Sequence, residues 1–315
     1  MHKFIALIFL ILLTGCSSGS YFRIANDIVG GTDYNFTNGW ELGMNLEREQ
    51  SKDLLVDAGD TLMFGRIFDE DPTEVSHLNL GVRQMMYTPS DLRNPNIIEE
   101  DNPYAGTATF FFGGIATSDK RRIHTEVELG VSGAPSGAET FQKFVHNDLD
   151  KGADPQGWHH QLEAEPIFNI NHSRAWQIHR ENLFDKSYLE YVHNSEAKAR
   201  VGTIHLDFEI SQEFKLGQNV PQFNRSNVEN AWGIYLFTEP FVRAVGHNFY
   251  YDGTVFRDSP HTVESEPLVG GLDSGIGVEY GQYSVKFHYN IRTKDYKEQD
   301  SSIHKYGLLS FGVEW

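Results

Sequence analysis

The residues whose types and spacing could do chemistry gather between Gly133 and Glu165. A short helix is predicted there over Ala138 to Leu149, with Gln142 and His146 four residues apart on one face. Phe141, Val145 and Leu149 form a neighbouring apolar stripe. An imidazole changes charge near neutral pH, so a histidine held beside an amide suits proton transfer. An ordinary capping helix would read the same way, and the elements around it must decide. A second polar group, Asn26-Asp27 with Thr37, sits in an Asx- and Gly-rich segment that by itself reads as turn chemistry. The chain has no Gly-x-Ser-x-Gly elbow and no His-Glu-x-x-His, so neither a hydrolase serine nor a zinc-protease helix is on offer.

The chain has 315 residues, with Lys+Arg 26 against Asp+Glu 44 and a formal charge of −18. That sign excludes nucleic acid as a partner, because phosphate would be repelled. It would also repel anionic lipid unless a divalent cation bridged the two. Residues 1–15 read as a signal peptide: a basic start, then an apolar run from Phe4 to Leu13 too short to span a bilayer. Leu13-Thr14-Gly15-Cys16 resembles a bacterial lipobox, which makes Cys16 the candidate lipidation site; an ordinary secretory signal is the alternative. Cys16 is the only cysteine, so no intramolecular disulfide can form.

Beyond Ser20 the pattern is period two, repeatedly. Tyr283, Val285, Phe287, Tyr289 and Ile291 alternate with Ser284, Lys286, His288, Asn290 and Arg292, and Trp40, Leu42, Met44 and Leu46 alternate with Glu41, Asn45 and Glu47. A soluble sandwich and a membrane barrel both alternate so. Strands of nine or more residues, aromatic residues at strand ends and a final alternating strand closing on Trp315 favour the barrel. Twelve antiparallel strands are predicted, at about 20–29, 38–48, 75–88, 104–118, 121–132, 160–174, 185–197, 201–214, 230–245, 262–280, 281–293 and 304–315. The expected fold is therefore all-β, a twelve-stranded transmembrane barrel over residues 20–315 with the short helix in an extracellular loop. Residues 49–74 are long and acidic for a periplasmic turn, and no pattern accounts for them.

Taken in order, several motifs resemble the outer-membrane lipid A 3′-O-deacylase family. They are Asn26-Asp27, Asp33 to Gly39, Gln84 to Pro89, Asp101 to Gly106, Gln142 with His146, and Gly157-Trp158 to Glu165. The resemblance covers nearly the whole mature chain. It implies calcium-dependent hydrolysis of the 3′-acyloxyacyl ester of lipid A at the outer leaflet of a Gram-negative outer membrane, by a monomer. The residues agree. His146 is the candidate base that activates water, and Asp27 the candidate hard-oxygen ligand for Ca²⁺. Asn26 is a further candidate ligand, and Thr37 and Gln142 are candidates to bind or orient the ester. Arg93 is the candidate lipid A phosphate ligand. Two positions depart from the family: Asn102 stands where an arginine is usual, and Ala153 where an acidic residue is. The alternatives are an outer-membrane phospholipase-type esterase, or a non-catalytic barrel, porin-like or lapsed.

Overall fold

The computed structural model describes residues 19–27, 35–62, 72, 74–148, 154–184, 188–223 and 231–314. The signal segment with Cys16 lies outside them, as do Asp33, Ala153 and Trp315. Twelve antiparallel strands close into one barrel: β1 (Gly19–Asn26), β2 (Asn35–Glu47), β3 (His77–Thr88), β4 (Ala105–Thr117), β5 (Arg121–Ser132), β6 (Pro166–Asn182), β7 (Leu189–Gly202), β8 (His205–Gln218), β9 (Trp232–Asn248), β10 (Leu268–Tyr280), β11 (Tyr283–Thr293) and β12 (Ile303–Glu314). Each pairs with its chain neighbours, and β1 pairs with β12, which leaves no open edge.

All twelve predicted strands are present, with shifted bounds. The largest shift is in β6, which starts at Pro166 rather than near residue 160, because residues 157–165 stay in the loop. The predicted helix is shorter than expected. α2 (Ala138–Lys143) gives way to a π-helical turn over Phe144–Asp148, and Leu149 is outside the described residues. The unaccounted stretch after β2 forms a 3₁₀ turn, Arg48–Gln50, and a helix, α1 (Asp53–Leu62).

Alternation sorts the side chains. Phe110, Leu129, Phe168, Leu236 and Val242 point outward and are exposed, as a lipid-facing belt requires. No described helix is long and apolar enough to cross a membrane; the strands do the crossing. Inward-facing residues fill the lumen with ion pairs. Arg83 meets Glu41 at 2.7 Å, Glu128 at 2.8 Å and Glu126 at 3.3 Å, and its guanidinium lies over Phe111. Arg200 binds Asp207 at 2.6 Å, and Arg243 and Lys198 share Glu209. Each of these charges has a partner of opposite sign, the condition for tolerating it away from water. An interior filled in this way leaves the outer wall as the surface on which chemistry can be organised.

Candidate active site

The register fixes which wall. Arg23 pairs across from Glu41, and Glu41 from Arg83, all three turned inward. Their neighbours Ile24, Trp40, Leu42 and Val82 therefore face outward. Followed to the extracellular end, the outward row turns polar: Asn26 pairs with Asn38, Asn38 with Met86, and Met86 with Gly106, flanked by Gln84 and Thr88. Polar residues in the lipid-facing phase need partners, and Asn26, Gln84 and Thr88 have them.

A β-bulge supplies one. The register shifts between Phe36 and Asn38, so Thr37 is an extra residue in β2. Bulges re-aim side chains beside active sites. Here the Thr37 hydroxyl meets that of Thr88 at 2.5 Å, and the Asn26 amide Nδ2 donates to the Thr37 carbonyl at 2.7 Å. Asp27 ends β1 and is fully buried, as are Thr37 and Thr88.

The 133–165 loop covers this wall. Its backbone carbonyl at Ser136 accepts from Gln84 Nε2 at 2.7 Å, and Gln84 Oε1 accepts from Trp40 Nε1 at 2.9 Å. Ala138 packs on Gly106, and Phe141 lies against Trp40 with ring centroids 6.4 Å apart. Met86, Ala138, Tyr104, Leu92 and Trp158 form one buried cluster. Gln142 and His146 are both buried on this segment, 1% and 6% exposed. In an α-helix, residues four apart sit about 40° past alignment. The wider π-turn that begins at Phe144 takes up part of that offset, and such turns concentrate at functional sites.

Trp158 Nε1 donates to Gln142 Oε1 at 2.7 Å. That bond settles the orientation of the amide, because only the oxygen can accept. Gln142 Nε2 is thereby left as a buried donor, and it has no hydrogen-bond partner among the described residues. A donor one turn before His146 suits a carbonyl oxygen that gains charge. Trp158→Phe should lower the hydrolytic rate roughly tenfold, the size of one lost hydrogen bond, with the barrel's heat-modifiable gel mobility unchanged. A wild-type rate would remove the orienting role.

Two of the sequence motifs brace the loops around the site. Asp101 accepts from the Ser90 N–H and hydroxyl, both at 2.7 Å, and from the Tyr296 hydroxyl at 2.8 Å, tying the β3–β4 loop to the β11–β12 loop. Glu165 accepts the N–H groups of Val255 and Phe256 in the β9–β10 loop, at 3.1 and 3.0 Å. Burial pushes the Tyr104 phenol up to about 12, so it stays neutral under Trp158, donating to the Leu92 carbonyl at 3.3 Å.

Asn26 is bonded to Thr37 at the extracellular end of the outer wall, Asp27 next to it in sequence is buried, and Gln142 and His146 are buried on the loop that covers this wall. Arg93 is exposed on the β3–β4 loop, next in sequence to the buried Leu92. Asn102, at the position where arginine is usual, is fully buried under His261 and Tyr104 rather than displayed to a phosphate. Thr88 and Asn38 were not singled out by sequence. Asn38 Oδ1 is buried without a partner among the described residues, on the row next to Asn26. The signal was available, since polar residues in the apolar phase of a strand are anomalous.

The oxygens here are hard donors: one buried carboxylate, two hydroxyls and amide oxygens. That set fits Ca²⁺ better than a softer transition metal. Among the described residues no three His, Cys, Asp or Glu side chains cluster as a metal site, so neutral oxygens would carry much of the coordination.

A closed twelve-stranded barrel with an outward apolar belt and paired charges inside defines an outer-membrane barrel protein. The profile of the family described as "Outer membrane protein LpxR" matches residues 4–315, and the chain belongs to that family. Among solved structures, LpxR from Salmonella typhimurium is similar at 15% identity and a TM-score of 0.73, covering 95% of this chain and 100% of that one. The β-domain of the Bordetella autotransporter BrkA is similar at 8% identity and a TM-score of 0.44, covering 95% and 100%. No curated protein matches the chain in sequence.

Proposed function

We propose that this protein hydrolyses the 3′-acyloxyacyl ester of lipid A at the outer leaflet. What supports the proposal is the family together with an outward row that ends in Asn26, Asn38 and Gln84 and is covered by the loop carrying the buried Gln142 and His146. A substrate of a pore or a soluble enzyme would meet the lumen or the aqueous rim; a lipid moving laterally meets this wall. His146 accepts a proton from the attacking water as the water adds to the ester carbonyl carbon. Gln142 Nε2 donates to the carbonyl oxygen as charge gathers there. His146 then returns the proton to the departing sugar oxygen, which leaves a free acyloxyacyl acid and a 3′-hydroxyl. Asp27, with Asn26 and the hydroxyls of Thr37 and Thr88, would hold Ca²⁺, which when bound stabilises the oxyanion and offsets repulsion between an acidic protein and an anionic lipid.

Mass spectrometry of lipid A from cells expressing the chain tests this. A mass loss equal to the 3′-acyloxyacyl group is expected. With purified protein, chelation should abolish the loss and added Ca²⁺ restore it. Intact lipid A from folded protein in the presence of Ca²⁺ would exclude the activity. Release of fatty acid from glycerophospholipid vesicles instead would favour a phospholipase.

A further inference from the structure

Helix α1 uses only part of its apolar surface against the barrel. Val56 and Gly59 face the wall in a buried cluster with Val75 and Leu78. A Cβ on Gly59 would meet Leu78 Cδ2 at 2.4 Å, and one on Gly114 would meet the Gly59 carbonyl oxygen at 3.1 Å. Leu78 and Gly114 pair with each other and belong to the outward row that holds Val82 and Phe110. The helix therefore lies on the lipid side of β3 and β4, at their periplasmic end, and does not plug the lumen.

At about 100° per residue, Asp53, Asp57, Asp60 and Thr61 fall on one edge of this helix. Leu54, Ala58, Leu62 and Leu55 fall on the opposite edge. The acidic edge is tethered: Asp60 binds Arg48 at 2.8 Å and accepts the Val75 N–H at 3.2 Å. Among the described residues nothing buries the apolar edge, with Leu54 79% and Leu55 37% exposed. Elsewhere at this end of the barrel, Trp232, Tyr280 and Tyr283 are exposed at strand termini, the level at which aromatic girdles mark the membrane interface. On β3 and β4 the exposed belt runs through Val82 and Phe110, stops where α1 covers Leu78, and resumes on Leu54 and Leu55.

We propose that α1 is an interfacial helix seated in the periplasmic leaflet, with Leu54 and Leu55 against lipid acyl chains and its aspartates toward the periplasm. Most interfacial helices present a basic face to anionic headgroups. This one presents acid away from the bilayer and is held by its dock on the barrel, so its seating should not depend on anionic lipid.

The test uses an environment-sensitive fluorophore on single cysteines at Leu54, Leu55 and Asp57 in a Cys16→Ser background. Val82→Cys serves as a belt reference. Each variant of the full chain is reconstituted into phosphatidylcholine vesicles containing brominated acyl chains, with folding checked by heat-modifiable mobility. Blue-shifted emission at 54 and 55, quenched to the level of 82, with unshifted and unquenched emission at 57, is the expected result. It should be unchanged when phosphatidylglycerol replaces part of the lipid. Equal, unquenched emission at 54, 55 and 57 would place that edge in water and overturn the proposal; quenching only with phosphatidylglycerol would overturn the docking account.

Discussion

His146→Ala is expected to leave lipid A intact in cells that make the protein at wild-type level, while the barrel keeps its heat-modifiable mobility. Removing a general base typically costs 10²–10⁴-fold in rate, which turns near-complete conversion into none detectable over a culture's growth. The fold should survive because the loop is anchored at other residues. The anchors are Ala138 on Gly106, the Ser136 carbonyl on Gln84 and the Trp158–Gln142 bond. Asp27→Ala should give the same loss by a different route, shifting or abolishing the calcium titration while leaving residual turnover unresponsive to chelation. Wild-type lipid A modification by His146→Ala would return the helix to the role of a cap and revive the reading of a barrel without catalysis.

The barrel itself was legible because alternation repeats over long strands, and one registration error cannot hide twelve of them. What escaped was anything that depends on a single residue of register. The bulge at Thr37 is one extra residue in Phe36-Thr37-Asn38, invisible to a period-two reading, yet it sets Thr37 beside Thr88 on the outer wall. The side of the wall could have been deduced. Asn26 follows Phe22 and Ile24 in phase, and Asn38 and Gln84 follow the phase of Trp40 and Val82, so three polar side chains occupy lipid-facing positions at one end. Helix α1 was hidden for another reason. The stretch 49–74 reads as long and acidic through Asp69-Glu70-Asp71, beyond the helix, although the leucines within the helix recur at helical spacing. Arg93 lies exposed on the β3–β4 loop, where strand alternation gives no rule for the direction of a side chain.

Gly106→Val separates the wall from its cover. The glycine belongs to the Pro103-Tyr104-Ala105-Gly106 motif, and its requirement is steric rather than conformational: a Cβ there would lie 2.4 Å from Ala138 Cβ and 2.6 Å from Ser136 Oγ. Neither neighbour is the far end of a flexible side chain, so the start of α2 must move off β4. Overpacking of this kind costs about 1–3 kcal/mol, well within what a closed barrel tolerates, and valine suits the strand it would join. The barrel should therefore assemble with normal heat-modifiable mobility while Gln142 and His146 are carried away from Asn26, Asp27 and Thr37. A displacement near 1 Å can cost about 10²-fold in rate, so lipid A modification should fall at least that far with calcium present. Limited proteolysis should then cut the 133–165 loop faster than in the wild type. If Gly106→Val instead kept full activity, the catalytic group could not be assembled between this wall and this helix. The histidine would then have to act from elsewhere on the loop.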